Sequence, residues 1–147
     1  VLMRLFNAYG PRSHHEGYAG EFIPRSIVRA LNKEPILIYG DGSQTRDFTY
    51  VEDIARGLIE ATKYDELIGD TFNMGSGFEI SIKDLVLLIC QLMDFRGEIR
   101  WDKTKPDGQP RRLFDSSKAE KEFGYKAKKD FVQGLKEEIA FYENSQK

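Results

Sequence analysis

Apolar and polar positions along the chain change period several times, and each change marks an expected element. The opening run "VLMRLF" reads as a short buried strand, Val1 to Phe6. The segment Asn7 to Gly20 is rich in turn formers and reads as a loop. Phe22 to Leu31 carries apolar residues at 22, 23, 27, 28, 30 and 31, the spacing of a helix that packs one face. Ile36 to Tyr39 is a strand ended by the Gly40-Asp41-Gly42-Ser43 turn, and Arg46 to Tyr50 is a second strand. Glu52 to Lys63 is helical, with Ile54, Leu58, Ile59 and Thr62 along one side. Asp70 to Met74 is a further strand, broken by Gly75-Ser76-Gly77.

Ser81 and Asp84 have the spacing of a capping box and open a helix that runs to about Met93. Its apolar stripe is Ile82, Leu85, Val86, Ile89 and Met93. Ile99 to Trp101 is a short strand, and Asp102 to Pro110 is a polar loop. Ser116 to Phe123 is a helix stopped by Gly124, and Asp130 caps a last helix, Phe131 to Tyr142. Together these elements predict a mixed α/β fold of short strands with more helix than sheet.

Composition narrows the function classes. The 147 residues are 40% hydrophobic and 31% charged, with a formal charge of −2, which suits one globular domain and argues against disorder. With Lys and Arg balanced by Asp and Glu there is no basic field for a nucleic acid. The longest apolar run, Leu85 to Cys90, falls well short of the roughly 20 residues of a membrane helix, so no membrane partner is expected. Cys90 is the one cysteine, so no internal disulfide can form, and a reducing, cytoplasmic setting fits. The chain opens inside an apolar strand without an initiating Met, which points to part of something longer.

Few positions carry chemistry. The glycines at 40 and 42 lead into a strand, so they offer no helix N-terminus to a phosphate. Gly75 and Gly77 lie between a strand and a helix, but Ile80 stands where a dinucleotide loop needs its third glycine. His14 and His15 read as a solvent-exposed pair without metal-ligand partners, Cys90 as core, and Trp101 as core or rim. Arg46 opens its strand with Phe48 and Tyr50 on its own face and Asp47 on the other. Arg111 and Arg112 follow the turn-rich "KPDGQP". An arginine fork suits phosphate oxygens, and equally a surface salt bridge.

The segments "RLFNAYGPR", "FIPRSIVRAL", "ILIYGDGSQTRDFTYVEDIARG", "FNMGSG" and "PDGQPRRLFDSSKAEKEFGY" resemble, in order, the C-terminal part of the extended short-chain dehydrogenases. These are NAD(P)-dependent nucleotide-sugar epimerases, dehydratases and reductases. The resemblance implies that Arg46 and Arg111 grip a nucleotide-sugar diphosphate from two sides. It implies that Asn7 bonds the sugar or diphosphate, that Asn73 meets the nucleotide, and that the Phe22 backbone meets the diphosphate. Leu37 and Tyr39 would bracket the base, and Phe6 would lie near the nicotinamide. Related enzymes often carry Asn or Lys where this chain has Glu21, so either its carboxylate turns away from a diphosphate or the site is altered.

The family's cofactor loop, G-x-x-G-x-x-G, and its catalytic Tyr-x-x-x-Lys are expected upstream of Val1. Tyr125 and Lys129 have the catalytic spacing, but chance alone supplies about half an occurrence in such a composition. They also follow the helix-stopping Gly124. Residues 1–147 are thus expected to be the substrate-binding C-terminal portion, with 1–6 a strand left over from the Rossmann sheet and the N-terminal NAD-binding domain absent from this chain. The parent would oxidise a nucleotide-linked hexose at C4 with NAD or NADP, then epimerise, dehydrate or reduce it. This portion would hold no catalytic residue or metal, and would bind cofactor weakly at best. A homodimer of the parent through the absent half accords with the resemblance. "WDKTKPDGQPRR" is similar to GDP-fucose synthases, whereas the front half is more like 4-epimerases and 4,6-dehydratases. The alternative is a non-catalytic α/β module that binds a nucleotide or a protein.

Overall fold

The computed structural model describes residues 1–16 and 21–145 of the chain; residues 17–20, the end of the expected Asn7–Gly20 loop, lie outside the described residues. The mixed α/β class holds. The strands pair in four small sheets among the described residues. β1 (Leu2–Leu5) runs parallel to β6 (Thr71–Met74), and β2 (Ala8–Tyr9) parallel to β5 (Thr49–Tyr50). β3 (Ile36–Tyr39) runs parallel to β8 (Ile99–Asp102). β4 (Thr45–Asp47) lies between antiparallel β7 (Glu79–Ser81) and parallel β9 (Arg111–Arg112). The helices are α1 (Phe22–Leu31), α2 (Val51–Ala61), α3 (Ile82–Leu92), α4 (Ser117–Phe123) and α5 (Phe131–Ser145), with a 3₁₀ turn at Asp65–Leu67.

Local signals explain the helix limits. The Ser81 hydroxyl accepts from the Asp84 amide at 3.0 Å and donates to the Asp84 carboxylate at 2.6 Å, closing the first turn of α3. Gly124 takes a left-handed φ of 71° after α4. The Gly124 amide donates to the Glu120 carbonyl at 3.0 Å, the bond of an αL ending, and the Tyr125 amide to the Ala119 carbonyl at 3.2 Å. Asp130 accepts from the Gln133 amide at 2.9 Å and so caps α5. Ile23, Ile27 and Ala30 form the buried stripe of α1, packed in one core with α3, α5, Ile36 and Ile38. A second, smaller core joins Phe72 and Met74 of β6 to Phe123 and Tyr125.

The structure departs from the sequence pattern in four places. Leu2 and Leu5 of the expected buried strand are 55% and 44% exposed, because β1 pairs on one edge with β6 and with no other strand among the described residues. The expected Asn7–Gly20 loop contains β2. The expected strand Arg46–Tyr50 breaks at Phe48, which sends β4 and β5 into different sheets. Finally, α2 buries Asp53, Ile54, Gly57 and Ala61, while Leu58 and Ile59 face outward. The buried face is held by polar contacts and by a glycine. The Asp53 carboxylate accepts from the Lys128 and Lys129 amides at 3.0 and 2.9 Å, and a Cβ at Gly57 would overlap Met74 and Tyr125.

Candidate functional site

A cavity of about 430 Å³ opens between α1, β3 and the start of β4. Its apolar wall comes from β3, which buries Ile36 and Ile38 while presenting Leu37 and Tyr39 half exposed. Asn7, Phe22, Leu37, Tyr39 and Arg46, all named from the sequence, line this one space. Glu21, Arg25, Ser26, Arg29 and Gln44 line it as well. Arg25 and Arg29 stand four residues apart on α1, a spacing that puts them on one helix face and is readable from sequence. Arg29 donates to the Pro35 carbonyl at 2.8 Å.

Each polar group has a local anchor. Asn7, with a left-handed φ of 36°, donates its side-chain amide to the Asp47 carbonyl at 2.9 Å. Gln44 donates to the Tyr39 carbonyl at 3.1 Å, tying the turn to the end of β3. Glu21 borders the cavity rather than turning fully away. Burial raises the pKa of its carboxyl, while the nearby His14 opposes that rise.

The expected meeting of Arg46 and Arg111 is not what the strand register produces. Arg111 sits opposite Thr45, and Arg46 opposite Arg112. Paired residues of adjacent strands project from the same face of a sheet, and consecutive residues from opposite faces. Arg111 therefore shares a face with Thr45, and it grips Glu79 with both ends of its fork, at 2.8 Å through Nε and 2.8 Å through Nη2. That pairing, with a Thr45 hydroxyl bond, lowers the Glu79 pKa to about 2. Arg112, not Arg111, shares the face of Arg46.

Arg46 and Arg112 form no salt bridge among the described residues. Arg46 Nη1 donates to the Thr45 and Gln109 carbonyls at 2.6 and 2.7 Å, and Nη2 to the Asp107 carbonyl at 3.4 Å. Burial, then the Arg112 charge, lowers the pKa of Arg46, while Asp107 opposes them. The Arg112 guanidinium lies 5.7 Å from the centre of the Phe6 ring, which also meets Phe114 edge-on. Phe48 and Tyr50, which alternation puts on the face of Arg46, are core residues packed with Tyr9. Asn73 lies apart from the cavity lining and donates to the Asp115 carbonyl at 3.3 Å.

The Gly75–Gly77 loop is already filled. Asp47, fully buried, accepts from the Ser76 amide at 3.0 Å, the Ser76 hydroxyl at 2.5 Å and the Gly77 amide at 3.2 Å. A carboxylate of the chain itself occupies the donors that a cofactor phosphate would need, so this loop does not fit a dinucleotide. The catalytic spacing of Tyr125 and Lys129 is likewise absorbed by structure. Tyr125 is buried beside the Gly75 carbonyl, and Lys129 pairs with Glu137 at 2.8 Å and lies over the Tyr50 ring. His14 is exposed, whereas His15 packs edge-on against Tyr142. Cys90 packs against the main core, and burial raises its thiol pKa. No cluster of metal-ligating side chains and no helix long and apolar enough to cross a membrane occurs among the described residues.

Comparison with known proteins places this geometry. The chain is 36% identical over 141 residues to a probable GDP-L-fucose synthase 1 of Oryza sativa, covering 92% of this chain and 42% of that protein. It is 33% identical over 145 residues to a putative UDP-glucose 4-epimerase of Methanocaldococcus jannaschii, covering 99% and 46%. Among solved structures, UDP-glucuronic acid 4-epimerase from Bacillus cereus, in complex with UDP-glucuronic acid and NAD, superposes with a TM-score of 0.89 at 29% identity. That match covers 99% of this chain and 45% of the epimerase. The chain thus spans less than half the length of the relatives it matches. Residues 1–75 match the profile of the NAD-dependent epimerase/dehydratase family, and the chain belongs to that family, within the extended short-chain dehydrogenases.

Proposed function

We propose that this chain is the substrate-binding portion of an NAD(P)-dependent nucleotide-sugar epimerase or dehydratase. The cavity takes the nucleoside of a nucleotide-diphosphate sugar, and Arg46 and Arg112 take its diphosphate. The observation that carries this reading is two guanidinium groups on one sheet face, that of Arg46 lining the cavity, and neither with a carboxylate partner among the described residues. Their partners are neutral oxygens, and hydrogen bonds between ionised groups are stronger than those. A diphosphate therefore outcompetes the partners that hold the forks in its absence.

Leu37 and Tyr39 provide the half-exposed face against which a base can lie, and Arg25 and Arg29 face it across the cavity from α1. Glu21 at the rim opposes an anion placed deep beside α1, which favours the β4–β9 face for the phosphates. The chain's contribution to the reaction is to fix the nucleotide so that the sugar meets the catalytic groups in one pose. NAD(P), bound by the other half of the parent, would accept the hydride from C4 of the sugar. The exposed apolar residues of β1 suit a place at the edge of that half's sheet.

Titration with UDP, GDP and their sugars by calorimetry tests the reading. Arg46→Ala is expected to weaken binding about thirtyfold and Arg112→Ala about tenfold, the scale of one or two charge-assisted hydrogen bonds. Arg111→Ala, whose fork is spent on Glu79, is expected to stay within about twofold of the parent chain. Binding should also weaken as salt rises. Undiminished binding by Arg46→Ala would sink the assignment.

A further inference from the structure

The two guanidinium groups repel one another, yet they stand in register on adjacent strands. One residue contacts both. The main-chain carbonyl of Gln109 accepts from Arg46 Nη1 at 2.7 Å, and its side-chain Oε1 accepts from Arg112 Nε at 2.8 Å. We infer that Gln109 is a positioning residue for diphosphate recognition: it sets the separation and aim of the two forks so that each meets a different phosphate group. This rests on the anion site proposed above and adds to it the element that makes the site selective for two linked phosphates over one.

The chemistry favours a neutral amide in this place. A carboxylate would hold Arg112 more strongly but cancel part of the charge offered to the ligand. An apolar side chain would leave Arg112, an exposed residue with a long flexible stem, free to swing away from Arg46. The Arg46 contact runs through the Gln109 main chain and so survives substitution of the side chain. Replacing the side chain therefore separates the second fork from the first. Gln109 belongs to the exposed segment Lys103–Gln109, so its substitution leaves the core untouched.

The test uses inorganic pyrophosphate and orthophosphate as probes, titrated by calorimetry at low ionic strength into the full 147-residue chain. Gln109→Leu is expected to lose about tenfold in pyrophosphate affinity while orthophosphate affinity changes by less than about twofold, because one phosphate needs only Arg46. Gln109→Glu is expected to weaken both anions, since it restores the acceptor for Arg112 but adds a negative charge. A merely structural role would shift both affinities of Gln109→Leu in parallel, and that result overturns the inference. An unchanged ratio overturns it too. If the unsubstituted chain binds neither probe, the anion site itself fails and the inference falls with it; normal binding with a flat ratio in the variant refutes Gln109 alone.

Discussion

Asp47→Ala is expected to lower the melting temperature by about 10 °C, corresponding to on the order of 3 kcal/mol for a chain of this size. The fully buried carboxylate of Asp47 is the common acceptor for the Ser76 amide, the Ser76 hydroxyl and the Gly77 amide. Removing it strands these donors beneath the turn that connects β6 to β7. Relief from burying a charge offsets part of the loss, and partial access of water to Ser76 offsets a little more. Asp47→Asn keeps one acceptor oxygen but turns an N–H₂ toward the amides, so it should fall between the two. Thermal unfolding followed by circular dichroism reads the effect. A shift of only a degree or two would mean that water replaces the carboxylate at little cost. The loss should also reach the site. β7 starts two residues after Gly77 and carries Glu79, which pairs with Arg111 next to Arg112.

That carboxylate also shows where the sequence stops being legible. Alternation along residues 46 to 50 put Asp47 opposite Arg46, which is correct for the pleat, but gave no reason for an acid to be buried. The donors that make burial tolerable lie 29 and 30 residues away, and no local pattern encodes them. The register of β4 against β9 is invisible for the same reason. Two adjacent arginines must project from opposite faces, and only the pairing with Thr45 and Arg46 decides which of them shares the face of Arg46. Resemblance points to Arg111 as the partner of Arg46, whereas the register puts Arg112 on the face of Arg46.

What the sequence does specify is what neighbouring residues decide together. The Ser81 cap, the Gly124 stop and the Asp130 cap are contacts over three to six positions, and all three form. Ile23, Ile27 and Ala30 of α1 repeat at helical spacing and are buried as the period requires. On α2 the same logic fails. Its buried face includes Asp53 and Gly57, held by amides and aromatics from outside the helix, so the greasier Leu58 and Ile59 are left on the surface. Within the site, Leu37, Tyr39 and Arg46 lie in one continuous motif and share one cavity. Arg25, Arg29 and Gln44 have no such motif to announce them, although the two arginines share a helical face.

Glu138→Gln should abolish a pH dependence of stability that the unsubstituted chain shows between about pH 4.5 and 8. The carboxyl of Glu138 is buried on α5, accepts from the Gly10 amide at 3.0 Å, and leaves Oε1 without a partner among the described residues. Burial raises its pKa from 4.5 to about 8; bonds from Gly10 and Ser13 oppose the rise, and the charge of Glu21 adds to it. The groups facing it include Tyr9 from β2, Tyr50 from β5, Tyr142 from its own helix and Glu21 at the head of α1, and none of these supplies a positive charge. The folded chain therefore keeps a proton that the unfolded chain releases. Its stabilising effect is complete below about pH 4.5 and is lost as pH rises through about 8. A gap of that width corresponds to on the order of 4 kcal/mol. Urea denaturation across this range should show the unsubstituted chain weakening with pH while Glu138→Gln stays level, the two nearly equal at pH 5 and the variant clearly more stable at pH 9. Parallel curves would mean that Glu138 is ionised in the fold after all. The strain should concentrate where the carboxyl holds the Gly10–Ser13 turn, which Tyr142 also grips through the Ser13 carbonyl. Since the Glu21 amide bonds the His14 carbonyl just beyond that turn, the rim of the cavity is the part of the molecule that should loosen first in alkali.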